Sequence, residues 1–305
     1  MDILIYGATD AGKTRLASTL PNTIIVDFDN LSHKAGVMED EVYVIPKTKD
    51  GKLLTAIQRY AHYEAFIQAL TYAKSDKDVP KEFEYIKDDL IACENIVLDT
   101  MGSLEELIMA YTRETNPKLF KEMTTYMDKG SFDVSVGVGQ HIGTILNQIK
   151  DAGVSVIATS HAKKDDQTKE VVPAIHFTFR QYVERAFHMI GYLQLTEEGR
   201  VITFRQEGVL AKGIGTYTNP DGLQVIVDQY KKDIAKNNTV VNSAKEIKVN
   251  SKKVKTLKDL NNLVESAMKL PDATRIACRK YILEAVKRLD VKVELDKETS
   301  KYVQV

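Results

Sequence analysis

"MDILIYGATDAGKTRLASTL" (residues 1–20) decides how this chain is read. An apolar run from Ile3 to Tyr6 stops at Gly7. Eight residues then spell Gly7-Ala8-Thr9-Asp10-Ala11-Gly12-Lys13-Thr14, and a helical pattern follows at once. The octet fits G-x-x-x-x-G-K-[ST] and stands between an expected strand and an expected helix, the context that gives this pattern meaning. Glycines let the chain turn tightly so that consecutive N–H groups point inward, and a helix starting at Lys13 aims its positive end at the same spot. Lys13 supplies a mobile charge for β- and γ-phosphates, and Thr14 offers a hydroxyl to Mg²⁺. ATP and Mg²⁺ are the expected ligands, with Gly7 to Thr14 as the cradle.

Such a loop needs a second group on the metal side. "NIVLDT" (95–100) reads as a strand with Asp99 at its tip, so Asp99 is the expected Walker-B carboxylate beside the metal. Elsewhere "TIIVDFDN" (23–30) and "GVSVIATSH" (153–161) read as buried strands, residues 52–74 as a helix, and Ser103 as the cap of another helix. A helix is expected over about 139–151. "MIGYLQLTEEGRVITFRQ" (189–206) alternates as a hairpin turning at Glu198-Gly199, and "LQVIVDQY" (223–230) reads as a last run closing the core. Apolar strands alternating with helices predict an α/β fold, a mainly parallel sheet covered on both faces.

Composition narrows the class. The 305 residues are 43% hydrophobic and 28% charged with a net charge of −1, which excludes a polybasic nucleic-acid binder overall. No apolar run is long enough to span a bilayer and no leader pattern opens the chain, so no membrane partner is expected. Cys93 and Cys278 are far apart and define neither a disulfide framework nor a zinc site, and the expected location is cytoplasmic. Between Lys231 and Leu260, nine lysines face three acids in a tract rich in Asn and Ser. The expected organisation is a core over 1–230, a basic linker or arm over 231–255, and a small helical C-terminal unit over 256–305 with Pro271 between two helices.

Among phosphate-loop proteins, a small-molecule kinase would show clustered lid arginines. Here Arg180, Arg185, Arg200 and Arg205 are scattered, and the N-K-x-D motif of guanine-nucleotide switches is absent. What does appear is acid at the end of the second strand, Asp27 and Asp29, positioned to polarise an attacking water. Thr159, Ser160 and His161 fall at the tip of the fourth strand, where His161 is a candidate sensor of the γ-phosphate.

The ordered set "GATDAGKT", "IIVDFDN", "NIVLDT", "VIATSHAKK", a hairpin and then "VLAKGIG" resembles the phage nucleotide-binding proteins with a shortened RecA core. These include the Sak-type single-strand annealing ATPases. The resemblance covers about residues 1–230. It implies a RecA-like ATPase core, DNA-dependent ATP hydrolysis, binding of single-stranded DNA and annealing of complementary strands, alongside a single-strand-binding protein and as a homo-oligomeric ring or filament. Two positions depart from the family pattern. This chain has Asp27-Phe28-Asp29 where relatives have Asp-x-Glu, and Lys212-Gly213-Ile214 where they often have Lys-Asp-Arg, which leaves Lys212 as the cation for a neighbouring site.

In RecA-like cores the loops lining the assembly axis correspond to residues 126–141 and 162–181. The resemblance thereby nominates Lys129, Phe132, Lys163, Lys164, Phe177 and Arg180 for DNA, with aromatics stacking on bases and cations meeting phosphates. Two other readings share the core: a replication helicase or helicase loader, and a nucleotide-gated interaction protein with no DNA role.

Overall fold

The computed structural model describes residues 1–32, 36–37, 42–117, 129–204, 215–270, 272–289, 292–296 and 301–304. Two compact units divide the chain, Met1–Val227 and Asp228–Val305.

The first unit begins with strand β1 (Ile3–Gly7), helix α1 (Lys13–Ala17) and strand β2 (Thr23–Asp27). Strands β3 (Val42–Val44), β4 (Thr48–Lys49) and β5 (Lys52–Leu53) lead to α2 (Ala56–Lys74) and α3 (Lys87–Ala92). Then come β6 (Asn95–Asp99), α4 (Met101–Thr115), α5 (Lys129–Asp151), β7 (Ser155–Lys164), β8 (Val171–Pro173) and α6 (Phe177–Ala186). Strands β9 (Met189–Thr196), β10 (Gly199–Thr203) and β11 (Thr216–Thr218) close the sheet.

The sheet runs β11-β10-β9-β1-β7-β6-β2-β3, with β8 beside the end of β7. Pairing is parallel from β3 to β9 and antiparallel through β9, β10 and β11, so the expected mainly parallel sheet is present. Its central strands are apolar on both faces because helices cover both. All five residues of β1 are buried, and in β2 and β6 only the first residue is partly exposed. Leu4, Val26, Leu98 and Ala158 pack with Phe66 and Leu70 of α2, Leu104 and Ile108 of α4, and Ile142, Ile145 and Ile149 of α5.

Strand register brings the ends of the chemistry-bearing segments together. Gly7 stands opposite His161 across β1 and β7, and Asp27 opposite Asp99 across β2 and β6. One strand, β7, separates the glycine turn from Asp99. Gly7 is required for close approach: a Cβ there would lie 2.0 Å from the carbonyl oxygen of Leu193 on β9. Backbone cannot yield as a flexible side chain does. Gly7→Ala is therefore expected to destabilise the fold by about 3 kcal/mol, at the upper end of overpacking costs, read as a lowered urea midpoint.

Several elements differ from the sequence expectation. The cap of α4 is Thr100, whose hydroxyl accepts from the Ser103 amide, three residues before the cap expected at Ser103. Helix α5 starts at Lys129, so the expected loop over 126–141 is helical from there on. Its glycines weaken it, but Val138, Ile142, Ile145 and Ile149 form a buried stripe at helical spacing that offsets the cost. The stretch 162–181 is likewise structured, as the end of β7, then β8 and the start of α6. Residues 223–230 lie in a helix, α7 (Leu223–Ser251), which also takes in residues 231–251 of the tract expected as a linker. No glycine or proline interrupts that span, and its lysines and alanines favour helix.

In the second unit α8 (Leu257–Met268) starts from a capping box of Thr256 and Asp259, followed by α9 (Asp272–Val286). Ile247, Leu260, Leu263, Ala267, Cys278 and Ala285 make its core. The helical C-terminal unit also contains a hairpin, β12 (Val293–Asp296) with β13 (Lys301–Gln304). Among the described residues no helix is long and apolar enough to cross a membrane.

Candidate nucleotide site

Alternating conformations shape the glycine turn. Asp10 and Gly12 both take positive φ, 62° and 88°. Such a turn directs successive amides into one concavity. Helix α1 is only five residues long, so the loop amides rather than a helix dipole supply most of the cradle's polarity. Lys13 is 7% exposed and its Nζ donates to the carbonyls of Gly7 (3.2 Å) and Ala8 (2.7 Å). Burial pulls its pKa below the ordinary lysine value, while Asp99 and Asp10 oppose that fall.

Next to the loop, Thr14 Oγ1 donates to Asp99 Oδ2 at 3.0 Å. Ser32 Oγ donates to the same oxygen at 3.2 Å, and Thr159 Oγ1 donates to Asp99 Oδ1. Burial raises the Asp99 pKa from the ordinary aspartate value; the hydroxyls of Thr159, Thr14 and Ser32 partly offset this, and Asp27 adds to it. Asp99 thus ends a buried strand as a carboxyl group held by three hydroxyls.

The acids of the second strand separate by partner. Asp27 is 1% exposed and accepts the amides of Asp29 (2.8 Å), Asn30 (2.7 Å) and Ser32 (2.7 Å), so it shapes the turn that follows β2. Asp29 is half-buried, accepts from Ser103 Oγ, and borders the cavity above the loop. That cavity measures about 510 Å³ and is lined by Thr9, Lys13, Thr14, Asp29, Asp99, His161 and Arg200 among others. His161 Nδ1 lies 3.5 Å from Thr9 Oγ1.

The remaining candidates fall elsewhere. Lys163 donates to the Ile175 carbonyl at 2.7 Å, and Lys164 is exposed at the end of β7. Arg180 pairs with Asp165 (2.7 Å) and Glu184 (3.2 Å), so its charge is satisfied within the protein. The side chains of Lys129, Phe132 and Phe177, and all of Lys212, lie outside the described residues. Sequence reasoning missed Ser32 and set Arg200 aside as a scattered arginine. Ser32 carries no motif signal, whereas Arg200 directly follows a hairpin turn whose partner strand borders the loop.

The donor set fits a triphosphate with Mg²⁺. A hydroxyl and a carboxylate are hard oxygen donors, and Mg²⁺ keeps waters and phosphate oxygens rather than filling a protein cage. Consistently, no group of three or more His, Cys, Asp or Glu side chains forms a metal cluster among the described residues. Thr14 and Asp99 would hold the ion, and the loop with Lys13 would hold the phosphates.

A glycine-bounded loop with a buried lysine, set beside a hydroxyl–carboxylate pair at one sheet edge, defines a P-loop ATPase. Residues 1–213 match the family model described as an AAA domain, and the chain belongs to that family. Among solved structures it is similar to a KaiC-like protein of the hyperthermophilic archaeon Pyrococcus horikoshii OT3. Identity there is 11% and the TM-score 0.37, covering 71% of this chain and 84% of that one. None of the curated proteins compared matches the chain.

Proposed function

We propose that the chain is a RecA-like, phage-type recombination ATPase that binds ATP with Mg²⁺, assembles on single-stranded DNA and promotes annealing of complementary strands. The observation that carries the ATPase part is the 3.0 Å contact between Thr14 and Asp99, which joins the two halves of a phosphate–metal site across an intervening strand. Both acids line the cavity, and Asp29 is the water-polarising carboxylate in this reading because Asp27 is occupied by three backbone amides. His161 reports on the γ-phosphate from beside Thr9.

Support for the DNA part comes from the ordered motif resemblance and from exposed cations. Lys163 and Lys164 end β7, and Lys231, Lys232, Lys245, Lys248, Lys252, Lys253, Lys255 and Lys258 are exposed along and after α7. Exposed lysines of this kind bind phosphate without reading sequence, and the affinity falls with salt, with a log–log slope of about −0.7 per single-strand phosphate neutralised. Filter binding of a labelled oligonucleotide at graded salt is expected to show retention at low salt and loss of several phosphate contacts' worth of affinity as salt rises. No retention at low salt would remove the DNA role and leave a nucleotide-gated interaction protein. Strand separation on a forked substrate with steady turnover would favour the helicase or loader reading instead.

A further inference from the structure

Arg200 is the first residue after the β9–β10 turn to point its charge at the glycine loop. Its guanidinium lies against Gly12, where an added Cβ would be 2.7 Å from Nε and 3.0 Å from Cζ. Among the described residues this side chain makes no ion pair and no hydrogen bond, although its backbone is firmly held. Arg200 N donates to Asn219 Oδ1 at 2.8 Å, and Asn219 N donates to the Arg200 carbonyl at 2.6 Å. An anchored backbone carrying an unpaired guanidinium beside an anion-binding turn is a cation set in advance for a ligand.

A second cavity of about 470 Å³ adjoins the phosphate cavity, and Arg15 and Arg200 line both. Its volume lies within the range of small-molecule sites, about 300–1,000 Å³. Leu16 and Leu193 give it an apolar floor, Leu195 an apolar edge and Asp221 a carboxylate at the rim. Apolar walls accept the flat face of a base, and a carboxylate accepts hydrogen bonds from sugar hydroxyls.

Building on the nucleotide reading above, we infer that Arg200 grips the phosphate chain at the seam between these cavities, and that the nucleoside end of the ligand lies in the second cavity. Arg200 thereby acts in cis, from the hairpin of the same chain, as a cation of the site in addition to Lys13 and Arg15. The leucine-lined cavity, rather than the glycine loop, distinguishes a nucleotide from a bare polyphosphate.

Titration calorimetry in Mg²⁺ with a non-hydrolysable ATP analogue and with inorganic tripolyphosphate tests this. The unsubstituted chain is expected to bind the analogue more tightly than tripolyphosphate. Arg200→Gln should weaken both ligands by about ten- to hundredfold, the loss of one or two charge-assisted hydrogen bonds, and Arg200→Lys should recover part of it. Leu195→Trp, at a position 69% exposed and so tolerant of bulk, should fill the second cavity, cancelling the preference for the analogue while leaving tripolyphosphate binding unchanged. Unchanged affinities in Arg200→Gln, with an unaltered melting curve, would overturn the assignment of Arg200. A preference for the analogue that survives Leu195→Trp would overturn the placement of the nucleoside. Failure of the unsubstituted chain to bind either ligand would instead sink the nucleotide reading on which both rest.

Discussion

Lys13→Ala should lower affinity for an ATP analogue at least about a hundredfold, through loss of charge-assisted contacts to two phosphates, while the fold survives. The second half of that expectation follows from the burial of Lys13. The residue is 7% exposed, its ammonium donates among the described residues to two loop carbonyls, and burial pulls its pKa below the usual lysine range. A lysine whose folded pKa is depressed opposes folding while it is charged in both states. Stability from this site accordingly rises as pH climbs from the lowered pKa towards about 10.4, the ordinary value. At neutral pH, removing the charge relieves a cost. Lys13→Met, which keeps the stem, should unfold at the same denaturant midpoint as the parent or a higher one. A fluorescent analogue bound equally well by Lys13→Ala would refute the site.

Asp99→Asn should separate function from stability in the same manner but through the metal side. Burial raises the Asp99 pKa, and the three hydroxyl donors only partly compensate. A carboxyl with a raised folded pKa contributes stability below its unfolded pKa, and that contribution is lost as pH rises through the raised value. Near neutrality, therefore, the ionised side chain is a burden on the free protein. The amide keeps the shape and one acceptor oxygen while removing the charge. The expected result is a higher Tm for the ligand-free protein, by about 2–4 °C for each kcal/mol recovered, together with loss of any Mg²⁺-dependent tightening of nucleotide binding. A lower Tm would mean that the hydroxyl network outweighs the buried charge. Retained Mg²⁺ dependence would remove Asp99 from the metal.

The candidate nucleotide site was legible in the sequence because its signals are local. Gly7, Gly12, Lys13 and Thr14 occupy eight consecutive residues, and Asp99 announces itself at the tip of an apolar run. The division of labour between Asp27 and Asp29 was not legible. It depends on the turn after β2 folding back so that three amides converge on Asp27, which spacing does not encode. Arg200 was hidden for a related reason: its place beside Gly12 is created by the parallel pairing of β1 with β9, made between segments far apart in the chain. Helices α5 and α7 were read as loop and linker over parts of their length. Glycines in one and lysine with asparagine in the other mimic the composition of irregular segments.

Strand β7 is ten residues long and paired without interruption, to β1 as far as His161 and to β8 from Ala162 onward. It carries Thr159 against Asp99, His161 beside Thr9, and Lys163 and Lys164 at its far end. From Thr159 to Lys164 the strand spans about 17 Å at the usual rise, with no turn and no glycine between them. It is a strut rather than a tether. The hydroxyl that grips the buried carboxylate and the two outer ammonium groups ride on one continuous member, so neither can slide along the strand direction without the other.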